Sequence, residues 1–255
     1  MDTPLTSLTP VRLQQFPVSE MIALSQAASW NQTEQDWRRM LELSPELCLG
    51  MRLDGKLVAS ATALCYGPEL AWIGMVLTLP EYRGRGLARG LLGELLGRLR
   101  GMGIAQVKLD ATELGAGLYR EFGFMDEQPV ERWEREGGPM PVAGNGLYEG
   151  EDRVLRALAR DGLIWTRAGG AMMARQGAVR SYLGPIVAPS QRVARELLRH
   201  VDGAAAYWDL LPEFSDARSL AWYLGFRPVR RLTRMSLGEG RKSKDVYGIA
   251  GFEYG

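Results

Sequence analysis

The stretch LTLPEYRGRGLARGLL, residues 77–92, decides how the chain reads. Upstream, Ala71 to Leu77 is apolar throughout, as expected of a central strand covered on both faces. Downstream, Leu87, Leu91, Leu92, Leu95, Leu96 and Leu99 recur mostly at three- and four-residue intervals, the apolar face of a helix. Between them lie a proline and two Arg-Gly pairs. The first N–H groups of a helix have no partner inside it and carry the positive end of its dipole. Gly84 and Gly86 place no side chain in front of those amides, and Arg83 and Arg85 add charge beside them. Such a junction can seat a pyrophosphate. It can also be an ordinary tight turn, because a short glycine-rich string is weak evidence alone. It is neither the dinucleotide fingerprint, whose glycine spacing differs, nor a Walker loop, since no Gly-Lys-Ser/Thr follows.

Working outward, helices are expected over Ser19–Ala28 and Thr33–Leu43, the latter opened by Thr33 and Asp36 as a cap and burying Trp37, Met40 and Leu41. Strands follow at Leu47–Leu53 and Leu57–Tyr66, joined by an Asp54-Gly55 turn. After the long helix come a strand at Ala105–Leu109, a helix at Gly117–Phe122 and a strand from Phe124. The first half is therefore a mixed sheet with helices on its faces, an α/β arrangement. Residues 136–150, EGGPMPVAGNGLYEG, have no periodicity and read as a linker. Beyond it a helix is expected at Asp152–Arg160, strands near Ala171–Arg175 and Ala178–Val187, and a helix at Gln191–His200. A strand at Ala205–Leu210, a helix at Asp216–Leu224, and strands from Arg227 and Asp245 complete the order.

The second half echoes the first. VLTLPEYRGRGLARGLLGEL faces GPIVAPSQRVARELLRHV, and KLDATELGAGLYREFGF faces YWDLLPEFSDARSLAWYLGF. Each member is strand, loop and helix, and both members of the second pair end in Gly-Phe. Two copies of one architecture are expected: residues 1–136, a linker over 137–150, and residues 151–255.

Arg83-Gly84-Arg85-Gly86-Leu87-Ala88 resembles the Gln/Arg-x-x-Gly-x-Gly/Ala loop of the GNAT acetyltransferase superfamily, and it follows an apolar strand ending in Leu79-Pro80. Leu118-Tyr119-Arg120-Glu121-Phe122-Gly123-Phe124 resembles the same family's Leu-Tyr-x-x-x-Gly-Phe. The whole chain is similar to bacterial tandem-GNAT proteins whose second acetyltransferase-like domain is degenerate. The resemblance implies the acyl-CoA N-acyltransferase fold and acetyl-CoA as co-substrate, wedged between Ala71–Leu77 and Ala105–Leu109. It implies that the amides of Val76, Leu77 and Thr78 hold the acetyl carbonyl and pantetheine arm, and those of Arg83, Gly84, Arg85, Gly86, Leu87 and Ala88 the pyrophosphate. The amine acceptor would attack the thioester directly, a strand amide near Val76 stabilising the oxyanion. Tyr119 is the implied general acid toward the CoA thiolate; its plain alternative is a packing tyrosine on a short amphipathic helix.

Two departures stand out. Thr112 occupies the place, seven residues before the tyrosine, where the family often has Asn; it can cap a helix. No acid lies in Ala71–Leu77 to serve as general base, leaving Glu69, Asp110 and Glu113 as candidates. In the second copy the junction reads VAPSQRVAREL, with no glycine, and Ala221 stands where Tyr119 stands in the first, Tyr223 being out of register by two. The second copy is thus expected not to bind CoA and instead to form a wall of the acceptor cleft.

Composition narrows the alternatives. A net charge of +1, with 31 Lys and Arg against 30 Asp and Glu, gives no footprint for nucleic acid. Cys48 and Cys65 alone make neither a disulfide framework nor a metal site. His200, the single histidine, ends a helix, a structural position for a cation. No apolar run approaches a membrane span, and MDTPLTSLTP lacks signal-peptide character, so a cytoplasmic protein is expected. Asn31-Gln32-Thr33 matches a glycosylation sequon by chance. Two functions remain: an acetyl-CoA-dependent N-acetyltransferase for a primary amine of a small molecule or peptide, and a non-catalytic acyl-CoA-binding or sensing module on the same fold.

Overall fold

The apolar strand and the leucine helix both form where the pattern places them. A computed structural model describes residues 9–239 and 246–255. Residues 1–8, read above for signal-peptide character, and Asp245, read as a strand start, lie outside the described residues. Contacts divide the chain into two compact units, residues 1–108 and 109–255. The division falls within strand β5 (Gln106–Ala111) rather than at the glycine-rich stretch 137–150.

The first unit contains β1 (Val11–Arg12), α1 (Val18–Ala27), α2 (Glu34–Leu43), β2 (Cys48–Leu53), β3 (Lys56–Tyr66), β4 (Leu70–Thr78), α3 (Leu87–Gly101) and the start of β5. Its strand order is β1-β2-β3-β4-β5, antiparallel until β4 meets β5 in parallel. α2 opens with the expected reciprocal cap: Thr33 N donates to Asp36 Oδ2 at 2.8 Å and Asp36 N to Thr33 Oγ1 at 3.3 Å. Trp37 is a core residue, its indole N–H donating to Ser25 Oγ of α1 at 3.0 Å. Leu41, expected on the buried face, is only half-buried, while Leu43 is buried. All six leucines of the α3 face are buried, and α3 packs over β2, β3 and β4. Asn31 of the sequon is buried.

The second unit contains α4 (Glu113–Glu121), β6 (Met125–Arg135), α5 (Arg153–Asp161), β7 (Leu163–Arg167), β8 (Gly170–Arg175), β9 (Ser181–Val187) and α6 (Gln191–Leu198). It continues with β10 (Ala206–Leu210), α7 (Ser215–Tyr223), β11 (Arg227–Leu237) and β12 (Val246–Gly248). From the end of β5 its strand order is β11-β6-β10-β9-β8-β7, with β12 on β9. α4 begins four residues earlier than periodicity suggested, because Thr112 Oγ1 accepts from Gly115 N at 3.2 Å and caps it there. β1 and β7 were not foreseen. β7 had a signal, since Leu163-Ile164-Trp165 and Ala171-Met172-Met173 flank Ala168-Gly169, a hairpin turn. The stretch 137–150 is irregular but fastened: Gly138 N donates to Gly203 O at 2.9 Å and Asn145 N to Ile164 O at 2.9 Å.

The element order β-β-β-α-β-α-β runs twice, through β2–β6 and β7–β11. The pairing senses also repeat: β7-β8-β9 are antiparallel and β9-β10 parallel, as are β2-β3-β4 and β4-β5. The repeat extends to an irregularity. Register on β4 slips between Gly74 and Leu77, opposite Thr62 and Ser60; on β9 it slips between Leu183 and Ile186, opposite Ala174 and Met172. The bulges fall on Met75-Val76 and Gly184-Pro185, which the internal alignment places opposite one another.

In the second unit the two copies share strands. β11 lies beside the end of β5, and β6 lies between β11 and β10. A buried ion pair marks each junction. Arg234 of β11 donates to both carboxylate oxygens of Asp110 at 2.9 Å, and Arg132 of β6 to both of Asp209 at 2.7 Å. Asp110 and Asp209 are aligned in the repeat, and each arginine follows its Gly-Phe by the same interval.

Candidate functional site

The strand–loop–helix segment of the first unit brings Val76, Leu77, Thr78 and residues 83–88 together on one continuous piece of chain. Its strand end is bent. Met75 has φ +48°, left-handed for a residue with a long side chain and a conformation the surroundings must hold. Two buried β3 hydroxyls hold it: Ser60 Oγ donates to the Met75 carbonyl at 2.7 Å and Thr62 Oγ1 to the Gly74 carbonyl at 3.0 Å. β4 pairs with β5 only from Leu70 to Trp72, opposite Gln106 to Lys108. Beyond the bulge, no strand pairing is recorded along that edge at Val76–Thr78 among the described residues.

After a short 3-10 turn at Pro80–Tyr82 the chain reaches the glycines. Gly84 has φ +72° and Gly86, the residue that precedes α3, φ +78°. A Cβ at either would meet no atom within 4 Å, so their absent side chains leave open space rather than room for a neighbour. No side chain caps α3, and its first intrahelical bond is Gly90 N to Gly86 O at 3.0 Å. The amides ahead of Gly90 thus begin a fifteen-residue helix without a carbonyl four residues behind them. Arg83 and Arg85 are exposed; Arg83 Nε donates to Thr78 O at 3.2 Å and Arg85 Nη2 to Glu81 O at 3.0 Å. Uncapped amides, open space and two tethered guanidiniums fit a pyrophosphate.

The second copy's junction differs at its helix start. Ser190 caps α6, its Oγ accepting from Val193 N at 3.4 Å, where α3 has an uncapped glycine. Ala221 is fully buried on α7, and Tyr223 is exposed, its hydroxyl accepting from Arg195 at 2.8 Å.

Tyr119 belongs to the second unit. It is buried on α4, its ring edge-on to Phe124 with centroids 6.0 Å apart. Burial pushes its phenol above the ordinary range, so it holds its proton. Of the three candidate bases, Asp110 is spoken for, fully buried with both oxygens on Arg234. Burial holds its carboxyl above the ordinary range, and Arg234 offsets only part of that rise. Glu69, in the β3–β4 turn, and Glu113, opening α4, are both exposed. His200 stacks on Trp165 with centroids 6.1 Å apart, a packing role. The bulge was missed from sequence; Gly74, an isolated glycine inside an apolar strand, was its one signal, while Met75, which takes the positive φ, is not a residue chosen for it.

Residues 12–124 match the acetyltransferase (GNAT) family. No curated protein matches the chain. Among solved structures, a proposed acetyltransferase from Pyrococcus horikoshii is 24% identical, with a TM-score of 0.85 over 100% of this chain and 98% of its own. A GCN5-related N-acetyltransferase from Sphaerobacter thermophilus is 14% identical, with a TM-score of 0.62 over 95% of this chain and 96% of its own. A tandem GNAT protein from the clavulanic acid biosynthesis pathway is 15% identical, with a TM-score of 0.61 over 93% and 100%. No helix among the described residues is long and apolar enough to cross a membrane. With its bent strand, uncapped helix and repeated topology, this chain matches the acetyltransferase (GNAT) family model over residues 12–124 and has the α/β mixed sheet of the acyl-CoA N-acyltransferase fold seen in a tandem GNAT protein.

Proposed function

We propose that the protein is an acetyl-CoA-dependent N-acetyltransferase that acylates a primary amine of a small molecule or peptide in the cytoplasm. The observation that carries this is the uncapped start of α3, with open space over Gly84 and Gly86, directly following the bent end of β4. Acetyl-CoA supplies the activated thioester. The amides from Arg83 to Ala88 receive its pyrophosphate, with Arg83 and Arg85 supplying charge. Leu77 and Thr78 hold the pantetheine arm as a further strand would be held. The amide near Val76, aimed by the Met75 bulge, meets the carbonyl oxygen where negative charge develops. Tyr119, kept protonated by burial, passes its proton to the departing thiolate and is reprotonated by the proton that the amine releases on acylation. The catalytic part of the chain is its first copy, residues 1–136, and 151–255 is a degenerate second copy joined through 137–150.

Thiol release from acetyl-CoA, measured across a panel of primary amines, tests the reading. Amine-dependent release is expected. Tight CoA binding with no release for any amine would favour the sensing module, and no CoA binding by calorimetry would remove both.

A further inference from the structure

The second copy has the same bulged strand as the first, and the segment Val246–Gly255 lies along it. Gly248 and Val246 of β12 pair antiparallel with Ile186 and Val187 of β9. These are the positions that align with Leu77 and Thr78 of the first copy. On the opposite wall, Ile249 N donates to the backbone carbonyl of Asp209 on β10 at 3.0 Å. β9 and β10 pair directly only over Ser181–Leu183 and Ala206–Trp208, a span of three residues, as β4 and β5 do over Leu70–Trp72 and Gln106–Lys108. Where they part, the segment enters.

The site around it is built. Trp208 Nε1 donates to Tyr247 O at 2.9 Å, and Arg175 reaches the carbonyls of Ala250 at 2.6 Å and Gly184 at 2.7 Å. Tyr182 donates from its hydroxyl to Asp209 Oδ2 at 2.9 Å and to Ile249 O at 3.3 Å. Tyr247, Ile249 and Tyr254 are buried. A Cβ on Gly184 would land on the Ile249 carbonyl, so the bulge residue itself is shaped to the segment.

We propose that the second copy is a peptide-binding cleft whose resident occupant is residues 246–255, entering as the short strand Val246–Gly248 where a GNAT copy takes the pantetheine arm of acyl-CoA. The proposal rests on reading the first copy as an acyl-CoA site, since that gives the cleft its ancestral ligand. The segment supplies the backbone hydrogen bonds that a pantetheine amide chain would supply. Ser190 at the same time closes the helix start that would take the phosphates. One acyl-CoA per chain is the consequence.

Hydrogen–deuterium exchange on the intact protein tests this. The Ile249 amide is expected to exchange at least about a thousandfold more slowly than in a free peptide of residues 246–255, as amides in cooperative core do. Saturating acetyl-CoA is expected to leave that protection unchanged. Exchange within about tenfold of the free peptide, or loss of Ile249 protection on adding acetyl-CoA, would overturn the proposal. Neither readout requires turnover, so failure of the proposed acetyl transfer would be seen separately, in the thiol assay. A chain ending at Asp245 provides a second measurement where it remains soluble. Synthetic peptide 246–255 added in trans should raise its melting temperature, and a scrambled peptide should not; equal effects of the two would count against a specific cleft.

Discussion

Asp209→Ala should be among the most damaging single substitutions in the chain. The Asp209 side chain is fully buried, and it accepts two 2.7 Å bonds from Arg132 and a third from Tyr182. Burial alone would lower the Arg132 pKa, but the charge and hydrogen bonds of Asp209 raise it, so the guanidinium stays ionised. Removing the carboxylate leaves that charge buried against Tyr207 and Phe252, ring centroids 4.9 and 4.5 Å away, whose π-faces compensate only in part. Breaking one side of a buried pair typically costs about 3–5 kcal/mol. For a protein of this size that corresponds to a melting temperature lower by about 6–20 °C. The double variant Arg132→Met/Asp209→Leu removes both charges and should recover most of the loss, to within about 1–2 kcal/mol of the parent. Denaturant unfolding of the parent, the single and the double variant measures all three. A single variant within about 1 kcal/mol of the parent, or a double variant no better than the single, would refute the assignment of this pair as the pin between β6 and β10.

Gly86→Ala should separate folding from ligand binding. Left-handed backbone costs about 1–2 kcal/mol for alanine, while the methyl meets nothing in the protein, so calorimetry should show CoA affinity falling by more than stability does. Tyr119→Phe keeps the ring against Phe124 and should leave melting unchanged while lowering kcat by about a hundredfold or more; unchanged turnover would remove Tyr119 as the acid. Burial pushes the Cys48 thiol up to about 12. The unfolded chain releases this proton near the ordinary thiol value, so the contribution is intact below about 8.5 and is lost as pH rises toward the folded value, by about 1.4 kcal/mol per unit. Denaturation between about pH 8.5 and 10 should show that slope in the parent and its absence in Cys48→Val.

The parts legible in sequence are those set by local chemistry. The capped helix at Thr33, the six-leucine face of α3 and the glycine loop each follow from residues that are near neighbours along the chain. The parts that were not legible depend on partners far along the chain. Met75 adopts positive φ because Ser60 and Thr62, on another strand, hold the carbonyls beside it. Asp110 reads as a candidate base in sequence, but Arg234, distant along the chain, occupies both its oxygens. The strand expected from Asp245 reads as a plain strand, since nothing in its composition says which edge it joins. The internal repeat was visible from Gly-Phe and proline positions, but the repeated bulge behind it was not, as Met75 and Gly184 share no chemistry.

The interleaving of β6 and β11 has a consequence for ancestry and for folding order. Two identical single-copy chains could make the same exchange about a dyad, each lending its last long strand to the other and each arginine finding the other's aspartate. In the present chain both lenders are covalently joined, so the exchange is unimolecular, governed by an effective concentration that the tether sets and not by how much protein the cell makes. The same joining removes any place to cut. A fragment stopping at residue 136 would keep Asp110 and Arg132 but neither of their counter-ions, leaving two unmatched charges and an open strand edge. Separating the halves at residue 136 therefore breaks both buried ion pairs at once.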